Sequence, residues 1–220
     1  MARPPGSALR IVGGVLGGRR FGRPERVTRP TSDRVREALA SILDARGAIE
    51  GAHVLELYAG TGASSFEMLS RGAAHAVLVE RDARAAKDLE ESARELGLSD
   101  RTTRLRLDLE SRGAIARLPE GPFDLVLADP PYDAVAEAVA VLAALAQTRR
   151  LTPEGLVVLE HRTKDVGLVD RALEPVVTSS RLRVVSRYRY GDTTLSLLAI
   201  DDEAREINAL DPPPAESKDA

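Results

Sequence analysis

Residues 53 to 71 read HVLELYAGTGASSFEMLSR. An apolar run at 53 to 58 predicts a strand, Gly60 and Gly62 predict a tight loop, and the stretch at 63 to 71 predicts a helix. The same rhythm continues on the C-terminal side. Strands are expected at about 75 to 80, 102 to 107, 123 to 128 and 155 to 161, with helices at 83 to 97, 110 to 117 and 134 to 146 between them. Strands alternating with helices imply an α/β fold with a mostly parallel, doubly wound sheet. The rhythm ends at RLRVVSRYRY (181 to 190) and TTLSLLAI (193 to 200), two strands joined by Gly191-Asp192, a pair that suits a hairpin turn. An antiparallel hairpin should therefore close the sheet. Arg181, Arg183, Arg187 and Arg189 alternate along the first of these strands and are expected on one face of it.

On the N-terminal side the pattern is different. LRIVGG (9 to 14) reads as a short strand, followed by a glycine- and arginine-rich loop to Pro30 and then a helix with Thr31 or Ser32 as its cap. Residues 1 to 36 hold nine arginines against Glu25 and Asp33, a balance of +7. The other 184 residues hold 22 basic and 32 acidic groups, a balance of −10, which leaves the chain at −3. A basic arm on an acidic body points to a polyanionic partner, although a solvated terminus has the same composition. The last segment, 201 to 220, has seven acids, two bases and three consecutive prolines, a composition that favours disorder. The expected division is a basic arm at 1–30, one domain at 31–200 and an acidic tail at 201–220.

With 220 residues, 43% of them hydrophobic and 30% charged, the chain has the composition of a globular protein. Its apolar runs fall short of the roughly 20 residues that span a bilayer. The start, MARPPGSALR, lacks the apolar run of a secretion signal, so a cytoplasmic location is expected. There is no cysteine, which rules out a cysteine nucleophile and with it C5-pyrimidine methylation. His53, His75 and His161 are scattered, and no metal site is expected.

Ligands of open α/β sheets bind outside the carboxyl ends of the strands. Gly60 and Gly62 lie at such an end, and Glu80 ends the next strand twenty residues after Gly60, where an acid can accept hydrogen bonds from ribose hydroxyls. An adenosine-type cofactor fits this spacing. A dinucleotide site would carry a third glycine near position 65, where Ser65 stands. S-adenosylmethionine, which has a ribose and no pyrophosphate, suits the loop better. A plain strand-to-helix turn with a solvated Glu80 is the simpler alternative. Asp108 ends the third strand and is also a good helix cap.

The run Phe123-Asp124-Leu125-Val126-Leu127-Ala128-Asp129-Pro130-Pro131-Tyr132 is an apolar strand ending in DPPY. This resembles motif IV of the amino-methyltransferases, Asn/Asp-Pro-Pro-aromatic. An exocyclic base amine is a poor nucleophile because its lone pair is delocalised into the ring. The Asp129 carboxylate and a main-chain carbonyl beside Pro130 can accept its two protons, leaving the lone pair directed at an electrophilic methyl. Pro131 stiffens the turn, and Tyr132 offers a face for an extruded base.

Three further stretches narrow the resemblance: Gly13 to Arg20 with Arg29 to Leu39, Leu69-Ser70-Arg71-Gly72-Ala73, and Arg189-Tyr190-Gly191-Asp192-Thr193. With DPPY they are similar to the signature of the RsmD-type ribosomal RNA guanine-N2 methyltransferases over residues 9 to 200. The resemblance implies a Rossmann-like class I methyltransferase fold with a small basic N-terminal extension. It also implies methyl transfer from S-adenosylmethionine to N2 of a guanine in 16S ribosomal RNA, conventionally guanine 966. Carried over by residue, Glu56, Gly60, Gly62, Glu80 and Asp108 hold the cofactor, Asp108 through its adenine amine. Asp129, Pro130, Pro131 and Tyr132 set the transfer geometry. Arg19, Arg20, Arg23, Arg29 and Arg34 face RNA phosphates. The expected partner is 16S ribosomal RNA in partly assembled small subunits, met by a monomer away from any membrane.

The chain departs from the family at Glu56, where an aspartate is usual, at Ser64-Ser65-Phe66, at Ala40 and at Ser92. Two other functions use the same features. An N6-adenine methyltransferase would also employ DPPY, and a non-catalytic RNA-binding assembly factor would keep the arm without needing Asp129. A nicotinamide-dependent oxidoreductase is disfavoured by Ser65 and by the absence of a role for DPPY.

Overall fold

The computed structural model describes residues 8–22, 30–180 and 182–200, with 30–32 and 176–180 described by backbone alone. Arg23, Arg29, Arg181 and the acidic tail lie outside the described residues. Leu9–Arg10 (β1) pairs antiparallel with Arg20–Phe21 (β2), so the glycine-rich stretch between them is a hairpin loop. Helix α1 covers Pro30–Ala45. It starts two or three residues earlier than a cap at Thr31 or Ser32 implies, since proline is pre-set for the first helical position, and both residues fall inside its first turn.

The α/β rhythm then unfolds as β3 (His53–Leu57), α2 (Ala63–Ser70), β4 (His75–Glu80), α3 (Ala83–Leu96), β5 (Thr102–Arg106), α4 (Ala114–Arg117), β6 (Phe123–Ala128), α5 (Val135–Ala146) and β7 (Leu151–Arg162). Helix α6 (Val166–Ser180), β8 (Leu182–Tyr190) and β9 (Thr193–Ile200) complete it. The seven long strands form one sheet in the order β5-β4-β3-β6-β7-β9-β8. Strands β3 to β7 are mutually parallel, and β9 and β8 pair antiparallel at the edge. This is a class I methyltransferase arrangement closed by the hairpin.

Side-chain alternation divides the core between the two sheet faces. Val54, Leu78, Leu127, Val158 and Leu197 pack against Leu39 and Leu43 of α1, Phe66 and Leu69 of α2, and Leu89 of α3. Leu9, Ile11 and Phe21 of the N-terminal hairpin join that layer, with Phe21 edge-on to Phe66 at 5.3 Å between ring centres. Leu55, Val79, Val126 and Leu159 pack on the other face against Val139 and Leu142 of α5 and Val169 and Leu173 of α6. Each such side chain, fully buried, is worth about 1.5 to 3 kcal/mol.

Four local features differ from the sequence expectation. Helix α6 has no counterpart in it, and Pro175 lies within the helix. Helix α4 is four residues long because Asp108 closes a turn ahead of it, accepting from the Glu110 amide at 3.1 Å. Strand β7 begins at Leu151, since Phe123 pairs with Leu151 and Leu125 with Leu156. Thr152 to Gly155 therefore bulge out of the ladder, where Pro153 has no ladder bond to lose. A second irregularity falls between Val184 and Ser186. It pairs Arg183 with Ala199 but Arg187 and Arg189 with Ser196 and Thr194, so Arg183 faces the opposite side of the sheet from the other two.

Candidate active site

The chain passes from β3 through β4 to β5 on one side of the sheet and returns to β6 and β7 on the other. The reversal opens a crevice above the carboxyl ends of β3 and β6, the place where such sheets bind ligands. A cavity of about 710 Å³ fills it. Glu56, Gly60, Glu80, Asp108, Asp129, Pro130, Pro131 and Tyr132 all line this cavity. Residues from four strand ends, up to 76 positions apart in sequence, thus meet around one space. Leu9, Arg36 and Leu39 form its wall on the side of the N-terminal hairpin and α1.

The loop after β3 is built by its glycines in two ways. Gly62, at φ 70°, starts α2, and a Cβ there would lie 2.5 Å from Leu89 Cδ2 and 2.8 Å from Leu78 Cδ2. Packing beneath the loop and the positive φ both disfavour a side chain at Gly62, which is not part of the cavity lining. Gly60, at φ 51°, borders the cavity, and a Cβ there would meet only the Tyr58 carbonyl oxygen, at 3.9 Å. Its amide donates to Glu80 Oε2 at 2.8 Å, while Glu80 Oε1 accepts from the Asp82 amide at 2.8 Å. Glu80 therefore pins two loops and still has lone pairs for ligand hydroxyls. Asp82 in turn caps α3, accepting from the Arg84 and Ala85 amides.

Tyr58, the residue before Ala59-Gly60, holds φ 58°, a strained conformation for a side chain of its size. Its buried hydroxyl has no hydrogen-bond partner among the described residues, and burial pushes it up to about 12. Glu56 is 6% exposed and accepts from the Ser65 amide at 3.1 Å. Burial pushes its carboxyl up to about 7, against the pull of Ser65.

At the end of β6, Asp129 is exposed to the cavity, and desolvation by the protein packed near it pushes its carboxyl up to about 6. The Pro131 carbonyl accepts from the Ala134 amide at 2.9 Å, which closes the turn leading to α5. Tyr132 is 59% exposed, with the Arg162 guanidinium 4.7 Å from its ring centre. One face of the ring is thus occupied by a cation held to Asp165 at 2.7 Å. Glu160, from β7, is a further acid of the lining, and burial together with the nearby Asp129 charge raises its carboxyl to about 8.

The arginines named from the sequence are spread more widely. Arg20 and Arg34 are exposed. Arg19 donates to the Leu96 and Glu95 carbonyls at 2.9 and 2.6 Å, capping the end of α3. Buried Arg36, absent from the expected site, donates to the Arg10 carbonyl at 2.7 Å and to Asp33 at 3.0 Å. The N-terminal hairpin hangs on one fully buried acid, Glu67 of α2. Its two oxygens accept from the Val12 and Gly13 amides at 2.7 and 2.8 Å, and Arg71 reaches it at 2.9 Å. No sequence signal marks Glu67 or Arg36, because each is one charge in an ordinary helical pattern.

A family model described as conserved hypothetical protein 95 matches residues 9–199. The chain belongs to this family, that of the RsmD-type ribosomal RNA methyltransferases. Among its relatives, the ribosomal RNA small subunit methyltransferase D of Escherichia coli K12 is 34% identical over 56% of this chain and 60% of the relative. The methyltransferase D of Haemophilus influenzae is 29% identical over 73% of this chain and 82% of the relative. A hypothetical protein of Thermus thermophilus has a solved structure that is 30% identical, with a TM-score of 0.66 over 87% of this chain and 99% of that one. A ribosomal protein L11 methylase from Lactobacillus delbrueckii shares the fold at 16% identity, with a TM-score of 0.62 over 76% of this chain and 79% of that one.

Proposed function

We propose that this protein transfers a methyl group to N2 of a guanine in 16S ribosomal RNA, at the position conventionally numbered 966, using S-adenosylmethionine and acting on partly assembled small subunits in the cytoplasm. The observation that carries the reading is the placing of Asp129 and its Pro-Pro-Tyr turn on the same cavity as Gly60, Glu80 and Asp108. Acceptors for two ribose hydroxyls and an adenine amine sit on one side of that space, and an acceptor for a reacting amine sits on the other. The donor set fits the cofactor. Glu80 and Asp108 would hold its ribose and adenine, and the buried Glu56 would receive its ammonium group. Bound there, S-adenosylmethionine supplies an electrophilic methyl on a sulfonium.

The remaining work falls to the chain. Asp129 accepts a proton of the amine and orients its lone pair, the proline turn fixes where that carboxylate points, and Tyr132 stacks on the base through the ring face that Arg162 leaves free. Crowding by protein makes the Asp129 hydrogen bond stronger than it would be in water. The test is incubation with radiolabelled S-adenosylmethionine and either naked 16S ribosomal RNA or partly assembled small subunits, followed by digestion to nucleosides. Label in N2-methylguanosine is the expected result. Label in N6-methyladenosine, or none with either substrate, overturns the reading.

A further inference from the structure

The sheet register places a second carboxylate beside the reacting one. Ala128 of β6 pairs with Leu159 of β7, so Asp129 and Glu160 are the next pair at the carboxyl ends of adjacent parallel strands, about 4.8 Å apart in the pairing direction. Alternation puts both on the same face. Leu127 and Val158, two residues earlier on each strand, belong to the core layer beneath α1 and α2, and the side chains of Asp129 and Glu160 follow that face. Both line the cavity. Neither accepts a hydrogen bond from any described residue, in contrast to Glu56, Glu80 and Asp108, each of which holds a backbone amide. Two neighbouring carboxylates that open onto the cavity, and that no described residue supplies with a donor, are complementary to a ligand with two adjacent N–H groups.

Guanine has such an edge: the exocyclic amine at C2 and the ring N1–H beside it. We propose that Glu160 is the base-reading residue of this site, accepting the ring N1–H while Asp129 accepts the neighbouring amine, and so selecting guanine over purines that carry a lone pair at N1. This inference rests on the guanine-N2 reading above. A purine without N1–H would turn a lone pair toward the Glu160 carboxylate, which leaves a desolvated acceptor unpaired and repelled. Sites built to bind a donor reject analogues that lack it far more strongly than apolar pockets reject an extra group.

The test uses a ribosomal RNA fragment spanning the guanine that the wild-type protein methylates, and the same fragment with 2-aminopurine at that position. 2-Aminopurine keeps the reacting amine and has no N1–H. Above about pH 8, where the Glu160 carboxyl is ionised, the wild-type protein is expected to favour guanine by at least about 30-fold in kcat/KM. Glu160→Gln can turn its amide to donate to N1, and should bring that ratio to within about 3-fold. Glu160→Ala should narrow it as well while slowing methylation of guanine. Intrinsic differences in amine reactivity cancel, since all three proteins meet the same two substrates. Calorimetry of S-adenosylmethionine binding should be unchanged in both variants, which shows that they fold. An unaltered ratio in Glu160→Gln overturns the proposal, and so does a wild-type protein that methylates both fragments equally. Analysis of the wild-type product tests the underlying reading separately: N2-methylguanosine keeps it standing whatever Glu160 does, and any other methylated nucleoside removes both.

Discussion

A carboxylate that must accept a proton from an amine works only when ionised, and Asp129 is held near a pKa of about 6 by its desolvation. Methylation, measured as kcat/KM, should therefore fall about tenfold per pH unit below about 6. Asp129→Ala should lower turnover by orders of magnitude and leave S-adenosylmethionine binding in place; calorimetry with normal cofactor binding and near-normal methylation would falsify its role. Asp129→Asn keeps one acceptor oxygen and should retain part of the activity. Glu80 has a double duty, holding the Gly60 and Asp82 amides as well as the proposed ribose. Loss of one or two charge-assisted bonds at about 1.5 to 3 kcal/mol each predicts at least a tenfold weaker cofactor Kd in Glu80→Ala, read by titration. An unchanged Kd would mean that Glu80 serves the loops alone.

Helix α2 shows how one element serves two structures. Its N-terminus frames the loop around Gly60, and its second turn carries Glu67, which holds the N-terminal hairpin by two amides and two arginines. Glu67→Ala would leave the Val12 and Gly13 amides without their acceptor and take the nearest carboxylate from Arg71, a loss of about 3 to 5 kcal/mol in chemical denaturation. Faster proteolysis at Gly17-Gly18 should accompany it; an unchanged denaturation midpoint would mean that the hairpin is held by packing alone. Elements of this kind mark the limit of what the sequence makes legible. The parallel strands and the closing hairpin stand out because their apolar runs are short and bounded by turn residues. So do Asp129 and Glu80, since chemistry is expected at strand ends. Helix α6 is hidden by Pro175, and the split of the β8 arginines by an irregularity that alternation cannot foresee. Glu160 looks like the polar end of a strand until the pairing of Ala128 with Leu159 sets it beside Asp129.

Across the whole molecule, three acids on the cavity cost stability so that a ligand can use them. Glu56, Asp129 and Glu160 all have raised carboxyl pKa values, so the folded state binds protons more tightly than the unfolded chain between their ordinary values and the raised ones. Stability of the ligand-free protein should then fall as pH rises through that window, from about 4.5 to about 7 for Glu56. The full cost for Glu56 is on the order of 3 kcal/mol. Glu56→Gln should flatten the dependence of the urea midpoint on pH and raise it at pH 8. A steeper dependence in the variant would contradict this. The opposite charge balance of arm and body bears on RNA. With Arg19 tied to α3, the exposed Arg20 and Arg34 remain of the described arginines expected to face phosphates, and replacing both by alanine should reduce the salt slope of RNA binding by roughly 1 to 2 units. Equal slopes would move RNA binding elsewhere. The Glu67 anchor also sets what can be transplanted. Because the hairpin is held by hydrogen bonds to Arg36 of α1, to Glu67 and Ser70 of α2 and, through Arg19, to the end of α3, it is not a portable tag. Fused to another α/β body it would arrive without its socket, so a chimera that exchanges the hairpin between relatives must exchange its contacts on α1, α2 and α3 with it.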